Sequence, residues 1–231
     1  MLNININDYN KILVYQFGKV GSSTLTYNNN GKFYPKIKDE YLEKVIHTHT
    51  HEVAEDILKK YNNVLVINIV RLPIGRNISA FWEDINVNCT DYKYKTIIEL
   101  DNLMLKHPSY DVKSLDWWMN RFYETTGIDY KNFSFDFEKK FVCIDKKSHK
   151  FLFYRFEDID YINSIILPSI GFKFDRKEIN DSNNKHYKDF YKNHKKYHKV
   201  SKDEIENIKN SVYVKIFYTP YEIINHISDW S

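Results

Sequence analysis

The sequence is poor in cysteine, glycine and proline, and it contains no long apolar run. Two cysteines among 231 residues exclude a disulfide-rich scaffold and a zinc site made of cysteine alone. Six glycines and five prolines exclude a collagen-like or low-complexity chain. Because no run of about 18 apolar residues occurs and the N-terminus lacks an apolar signal core, we expect a soluble, cytoplasmic protein without a membrane segment.

Neither sign of charge dominates the sequence. The net charge of +3 is too small to favour nucleic acid as a partner. The hydrophobic fraction of 42% and the aromatic fraction of 16% are sufficient for a packed core and exclude general disorder. No repeat, linker or change in composition marks a boundary, so the sequence predicts a single domain over residues 1–231.

The pattern of elements is typical of an α/β protein. Short apolar runs at Lys11–Phe17, Leu42–Thr50 and Val64–Val70 read as strands, and each is followed by a helical segment. This alternation predicts a three-layer fold with a central parallel sheet flanked by helices. Further strands are predicted at Phe141–Ile144 and Phe151–Phe156. Further helices are predicted at Glu52–Tyr61, Gly75–Ile85, Tyr94–Leu105, Val112–Tyr123, Glu157–Leu167, Asn184–Lys199 and Lys202–Ile216, and from Pro220 onward.

The turn after the first strand is suited to binding an anion. Lys19-Val20-Gly21-Ser22-Ser23-Thr24 combines a cation, a glycine for close backbone approach and hydroxyl donors, and Ser22 or Ser23 can cap a short helix. Lys19 precedes Gly21 instead of following it, so the turn is not the NTPase motif. An ordinary strand-to-helix turn is the alternative interpretation.

A second turn strengthens the interpretation as a nucleotide site. Arg71 directly follows the Val64–Val70 strand, and Ser79 lies eight residues later. Both turns come at the carboxyl ends of strands that we expect to be parallel, which is where open α/β sheets bind ligands. Only five of the 34 basic residues are arginines. Lysine cannot form the two parallel hydrogen bonds through which a guanidinium binds phosphate.

These motifs resemble those of sulfotransferases that use 3′-phosphoadenosine 5′-phosphosulfate (PAPS). Residues 19–25 resemble the family's 5′-phosphosulfate loop, and Arg71 with Ser79 resembles its 3′-phosphate motif. The chain is most similar to the bacterial branch of capsular polysaccharide synthesis proteins. The resemblance implies the P-loop-like sulfotransferase fold, PAPS as donor, no metal and a carbohydrate acceptor. Many members of the family carry an acid after the strand arginine, where this chain has Leu72.

Three histidines at alternate positions, His47, His49 and His51, lie at the end of the second predicted strand, with His51 just past it. At strand spacing His47 and His49 share one face, and an imidazole can accept a hydroxyl proton near neutral pH. The resemblance implies His49 as the catalytic base, with His47 as the second candidate. A zinc site made of the three histidines and a purely structural role are the alternatives.

Two further sets of residues complete the candidate site. We expect the Lys19 ammonium to stabilise the leaving phosphate. A lysine stripe late in the chain, Lys185, Lys188, Lys192, Lys195 and Lys199, predicts either a solvated amphipathic helix or an anion-binding rim. The resemblance implies that Lys185 and Tyr187 contribute to the 3′-phosphate site.

The sequence thus predicts a PAPS-dependent sulfotransferase acting on a carbohydrate hydroxyl, in capsular or surface polysaccharide synthesis. Two alternatives remain open at this point. One is a nucleotide-dependent kinase, disfavoured by the missing lysine after the second glycine. The other is a non-catalytic protein that binds anionic polysaccharide through the lysine stripe.

Overall fold

The structure is a computed structural model that describes residues 4–106, 113–173 and 185–231. The chain divides into two compact units. The first unit joins Met1–Arg71 to Met119–Ile179, and the second joins Leu72–Trp118 to Asn180–Ser231. Each unit therefore combines two separate stretches of sequence. The single domain over 1–231 stays a prediction.

The first unit is built on one six-stranded sheet, ordered β2-β3-β1-β4-β6-β5. Its strands are β1 (Lys11–Tyr15), β2 (Lys32–Phe33), β3 (Val45–Thr48), β4 (Val64–Val70), β5 (Phe141–Lys146) and β6 (His149–Arg155). All neighbouring strands are parallel except β5, which pairs antiparallel with β6. The predicted three-layer α/β fold with a central, mostly parallel sheet flanked by helices is confirmed.

Twelve α-helical segments occur in the described part of the chain. They are α1 (Ser22–Asn28), α2 (His51–Lys60), α3 (Pro73–Glu83), α4 (Ile85–Asn88), α5 (Ile97–Leu105), α6 (Lys113–Thr126), α7 (Ile159–Tyr161), α8 (Leu167–Ser169), α9 (Lys188–Tyr197), α10 (Lys202–Asn210), α11 (Val212–Phe217) and α12 (Pro220–Ser228). A π-helical segment, Ile162–Ile166, joins α7 to α8, and short 3₁₀ turns lie at Ile6–Asp8, Tyr92–Tyr94, Tyr130–Asn132 and Phe156–Asp158. None of the helices in these ranges is both long and apolar enough to cross a membrane.

The central strands are buried because their sequences are apolar on both faces. All seven residues of β4 are buried, as expected for a strand covered on both sides of a parallel sheet. Side chains of β1, β4 and β6 form the hydrophobic core of this unit together with the π-helical segment. Apolar area removed from water supplies most of the folding free energy. The sheet is thus a rigid base for the turns at its edge.

Several element boundaries differ from the predictions. The predicted Leu42–Thr50 strand is only Val45–Thr48, and the two-residue strand β2 was not predicted. Gly21, not Ser22 or Ser23, is the N-cap of α1, because its left-handed φ of 81° turns the chain into the helix.

The predicted Lys202–Ile216 helix is two helices. Ser211, with extended φ and ψ angles, ends α10, and its hydroxyl then accepts from Val214 N as the N-cap of α11. The N-terminal end of the predicted Asn184–Lys199 helix lies partly outside the described residues, and α9 begins at Lys188. Val112, the start of another predicted helix, also lies outside them.

Candidate functional site

Four neighbouring parallel strands of the first unit end at one edge of the sheet. The residues that follow β1 form the turn Gln16–Thr24, His49 follows β3, Arg71 follows β4, and Phe156 follows β6. Because β3, β1, β4 and β6 are adjacent and parallel, their carboxyl ends lie side by side. The prediction that the Lys19–Thr24 turn and Arg71 lie at the carboxyl ends of parallel strands is confirmed.

The turn after β1 is held in an unusual backbone conformation. Lys19 has a φ of 70° and Gly21 a φ of 81°, a region that costs a non-glycine residue about 1 kcal/mol or more. A Cβ on Gly21 would also lie 2.9 Å from the Phe156 ring. Arg71 supports the turn, since its Nη1 donates to the Lys19 carbonyl at 2.8 Å. Its guanidinium also lies over the Phe156 ring at 4.3 Å.

The side chains of the turn point in different directions. Val20 is buried and packs in the core, whereas Lys19, Ser23 and Thr24 are half-buried. Ser23 and Thr24 belong to the first turn of α1, where backbone N–H groups have no acceptor within the helix. These N–H groups and the half-buried cation are the part of the turn suited to an anion.

Gln16 connects this turn to the histidines and is fully buried. Its Nε2 donates to Ser22 Oγ at 2.6 Å and to His47 Nε2 at 3.0 Å. Its backbone carbonyl accepts from His49 Nδ1 at 2.9 Å. Among the described residues its Oε1 is buried without a hydrogen-bond partner. One residue therefore fixes the turn and both imidazoles relative to each other.

His47 is a buried, neutral imidazole. Burial, and then the neighbouring His49, lower its pKa from 6.5 to about 3. The Ser22 hydroxyl, 3.1 Å away, donates to the same Nε2 that accepts from Gln16. With the Nε2 lone pair engaged and the ring 4% exposed, His47 is a poor proton acceptor for a substrate.

His49 has the tautomer that a general base requires. A carbonyl oxygen only accepts hydrogen bonds, so the contact with Gln16 O puts the proton on Nδ1 and the lone pair on Nε2. The ring is half-buried, and its centroid is 4.7 Å from that of His47. The prediction that the two imidazoles share one face is confirmed.

His51 does not join this pair. It is the first residue of α2, and its Nδ1 is hydrogen-bonded to the Tyr15 hydroxyl. Among the described residues, the one set of three histidine or acidic ligand atoms within 4.8 Å is Asp101, His194 and His198. A zinc site formed by His47, His49 and His51 is therefore not supported.

The Asp101 cluster in the second unit has the geometry of a hydrogen-bonded network. Trp82 Nε1 donates to His194 Nδ1 at 2.7 Å, so the proton of a neutral His194 is on Nε2, which donates to Asp101 Oδ1. His198 Nδ1 donates to the same oxygen at 3.0 Å. A metal on Nε2 would require a proton on Nδ1, facing the indole N–H. The geometry therefore favours a structural network over metal binding.

The remaining predicted site residues belong to the second unit and gather near Glu83. Lys185 Nζ lies 3.5 Å from Glu83 Oε1, and the Tyr187 hydroxyl donates to Glu83 Oε2 at 3.0 Å. Ser79, half-buried, lies one helical turn before Glu83 on α3. The role of Ser79, Lys185 and Tyr187 at a 3′-phosphate stays a prediction.

The lysine stripe on α9 is the exposed face of an amphipathic helix. Lys188, Lys192 and Lys195 are exposed, whereas Tyr191 and His194 on the neighbouring stripe are buried. This arrangement agrees with the solvated-helix interpretation and leaves a row of cations facing solvent.

The sequence did not predict a site role for three residues of the first unit, Gln16, Phe33 and Phe156. Gln16 was detectable as a polar residue at the end of an apolar strand. Phe156 and Phe33 gave no signal, because an aromatic residue near a strand end is ordinary in sequence. Their positions follow from strand pairing alone.

Comparison of the chain with protein-family models, with curated proteins and with solved structures finds no match. The resemblance to sulfotransferases therefore stays a prediction from residues 19–25, Arg71 and Ser79.

Proposed function

We propose that the protein is a PAPS-dependent sulfotransferase that acts on a carbohydrate hydroxyl. The observation that carries the proposal is the hydrogen-bonded connection between the His49 imidazole and the turn after β1. Gln16 hydrogen-bonds to Ser22 in the turn and to Nδ1 of His49. Sulfuryl transfer needs a base on the acceptor and a cation at the leaving phosphate. In this proposal His49 and Lys19, which follow the adjacent strands β3 and β1, supply these.

Each residue has a distinct task in this proposal. His49 Nε2 accepts the proton of the acceptor hydroxyl, whose oxygen then forms the new bond to sulfur. PAPS, when bound, supplies the sulfuryl group. Lys19 offsets the negative charge that develops on the phosphate oxygen as its bond to sulfur breaks. Arg71 orients the turn through the Lys19 carbonyl, and its guanidinium is the phosphate ligand in this proposal.

The residues present fit an anionic donor. The turn combines two left-handed residues, a half-buried lysine and a helix start, and a guanidinium stacked on Phe156 lies beside it. We further propose that the acceptor belongs to a capsular or surface polysaccharide and that the reaction takes place in the cytoplasm. The acceptor class follows from the resemblance that residues 19–25 and 71–79 carry.

Calorimetry with 3′-phosphoadenosine 5′-phosphate tests the proposal. We expect micromolar binding that is lost in Arg71→Ala, and transfer of labelled sulfate from PAPS to a panel of glycans that is lost in His49→Ala. Tighter binding of ATP would instead indicate a kinase. Binding of anionic polysaccharide without any nucleotide affinity would indicate a non-catalytic binding protein acting through the lysine stripe.

A further inference from the structure

Phe156 contacts both of the elements that hold phosphate groups in the proposed function. It is the first residue after β6, and Arg71 is the first residue after the neighbouring strand β4. The Arg71 guanidinium carbon lies 4.3 Å from the centre of the Phe156 ring. Carbon atoms of the same ring lie 2.9 Å and 3.2 Å from the point where a Cβ on Gly21 would stand. One half-buried ring therefore contacts both the turn after β1 and the guanidinium beside it.

A buried ion pair fixes the backbone on either side of this ring. Arg155 Nε donates to Asp158 Oδ2 at 2.5 Å, and the two side chains are only 6% and 7% exposed. Lys140 Nζ lies 3.2 Å from the other carboxylate oxygen of Asp158. The ion pair spans the 3₁₀ turn Phe156–Asp158, and a buried pair is costly to break by removal of one partner. Phe156 therefore has a fixed position from which it restricts a neighbouring side chain.

The Arg71 side chain is held at two points. Its Nη1 donates to the Lys19 carbonyl at 2.8 Å, and its guanidinium lies over the Phe156 ring. The negative face of an aromatic ring attracts a guanidinium, whereas an aliphatic side chain of similar size does not. A side chain that is ordered before its ligand arrives loses less conformational freedom on binding. The ring therefore favours phosphate binding by Arg71 without contacting the phosphate itself.

We infer that Phe156 is a positioning residue for nucleotide binding, which acts by ordering the Arg71 guanidinium beside the turn. The inference rests on the proposed function, because it takes Arg71 as the phosphate ligand. Packing alone is the competing explanation, since Phe156 also packs against the hydrophobic core. The two explanations differ in what they require. Packing needs apolar volume, which leucine also supplies, whereas ordering of a guanidinium needs an aromatic ring.

Calorimetry with 3′-phosphoadenosine 5′-phosphate on the intact protein tests this role. In Phe156→Leu we expect an affinity about tenfold lower than in the wild type. Because Phe156 acts through Arg71, the same substitution made in an Arg71→Lys protein should lower the affinity by less than about threefold. An unchanged affinity in Phe156→Leu, or losses that simply add in the double variant, would overturn the inference.

Tyr61→Leu is the matched control. Tyr61 is a half-buried aromatic residue of the same unit, and the Lys11 ammonium lies 4.9 Å from its ring centre. Tyr61 precedes β4 and Lys11 begins β1, so this pair lies at the opposite edge of the sheet. We expect Tyr61→Leu to lower Tm while the nucleotide affinity stays unchanged. An equal loss of affinity in Tyr61→Leu and Phe156→Leu would show general destabilisation and would overturn the inference.

Proton NMR of the ligand-free protein tests the contact independently of nucleotide binding. Protons that lie over an aromatic ring resonate upfield, so the Arg71 δ-methylene protons should be shifted upfield in the wild type and not in Phe156→Leu. Arg71 resonances at their ordinary positions in the wild type would overturn the inference. Failure of the function gives a different result. A wild type that does not bind the nucleotide refutes the sulfotransferase together with this role, whereas binding that Phe156→Leu leaves unchanged refutes the role of Phe156 alone.

Discussion

The backbone carbonyl of Gln16 accepts a hydrogen bond from Nδ1 of His49 across 2.9 Å. This contact gives the two neighbouring histidines different chemistry. The lone pair of a neutral His49 is therefore on Nε2. The lone pair of His47 faces the Gln16 amide and the Ser22 hydroxyl. Sequence spacing alone leaves either imidazole as the base, and the hydrogen bonds favour His49.

Replacement of His49 by alanine should abolish transfer but not donor binding. General-base catalysis typically contributes about 10²–10⁴-fold to a rate, so we expect a loss of turnover in that range. Single-turnover transfer of labelled sulfate measures the rate, and calorimetry with 3′-phosphoadenosine 5′-phosphate measures binding. His186→Ala, an exposed histidine of the second unit, is the control and should behave like wild type. Undiminished turnover in His49→Ala would refute its role.

His47 should make the protein less stable in mild acid. Its pKa is lowered to about 3 in the folded state, so below about pH 6.5 the unfolded chain takes up a proton there that the folded chain does not. Stability therefore falls as the pH drops from about 6.5 toward about 3. Between about pH 7.5 and 5.5 this effect amounts to about 1.4 kcal/mol.

His47→Gln should remove this dependence, since glutamine does not titrate. Urea unfolding at the two pH values measures the difference in free energy. His51 and His149, whose pKa values are also lowered, mainly by burial, contribute to both proteins and cancel in the comparison. An identical acid loss in wild type and His47→Gln would show that His47 does not titrate as described.

Removal of the Gln16 amide should disturb His47 and slow the reaction. In Gln16→Met, His47 Nε2 and Ser22 Oγ each lose a buried donor, which costs about 1–3 kcal/mol of stability. Nitrogen chemical shifts of His47 report the changed hydrogen bonding directly. In Gln16→Glu, the carboxylate should raise the pKa of His47. Unchanged His47 nitrogen shifts in both variants would contradict the assigned contacts.

Arg71→Lys should weaken nucleotide binding although the charge is kept. Lysine lacks the planar guanidinium that lies over the Phe156 ring, and it cannot bind a phosphate through two parallel hydrogen bonds. We expect an affinity for 3′-phosphoadenosine 5′-phosphate at least about tenfold lower in calorimetry. Arg121→Lys is the matched control, because Arg121 pairs with Glu124 at 2.6 Å on α6. Equal affinities in wild type and Arg71→Lys would show that the planar guanidinium of Arg71 has no specific role in nucleotide binding.

Asp101 should stabilise the second unit through its charge. Burial alone raises the pKa of this carboxyl, but hydrogen bonds from His194 and His198 outweigh burial and lower the pKa to about 2. A lowered carboxyl pKa contributes stability above its unfolded value near 3.8, and the contribution is lost as the pH falls toward about 2. Asp101→Asn should therefore cost about 2 kcal/mol at neutral pH.

Thermal and urea unfolding across pH measure this difference, which should disappear in acid. In a second experiment, the Tm of the wild-type protein is measured with and without added zinc. Because Trp82 occupies His194 Nδ1, we expect no rise in Tm with zinc. A zinc-dependent rise that is absent in Asp101→Asn would overturn the structural interpretation.

Much of the fold follows from local sequence. The runs that became β1 and β4 are continuous and apolar, and such runs predict buried parallel strands without tertiary information. The Lys19–Thr24 turn and Arg71 were predictable for the same reason, since each directly follows one of those strands. The two-residue strand β2 was not, because a pair of residues has no periodicity.

The contacts that distinguish the histidines depend on register. Val14 pairs with His47 and Tyr15 with Thr48, and this pairing brings Gln16 beside His49. Periodicity does not encode the offset between two strands. Local sequence predicts even less of the Asp101 network, because Asp101 and His194 are 93 residues apart in the chain. A spacing of four residues is compatible with His194 and His198 on one helix face. It does not indicate which acid they contact.

The left-handed backbone of Lys19 has a consequence for how this chain can evolve. At a φ of 70° glycine would relax the strain, and selection for stability alone would favour it. The position holds lysine instead, whose ammonium the turn would otherwise lack. Lys19 therefore marks a point where a more stable chain would be a less charged one.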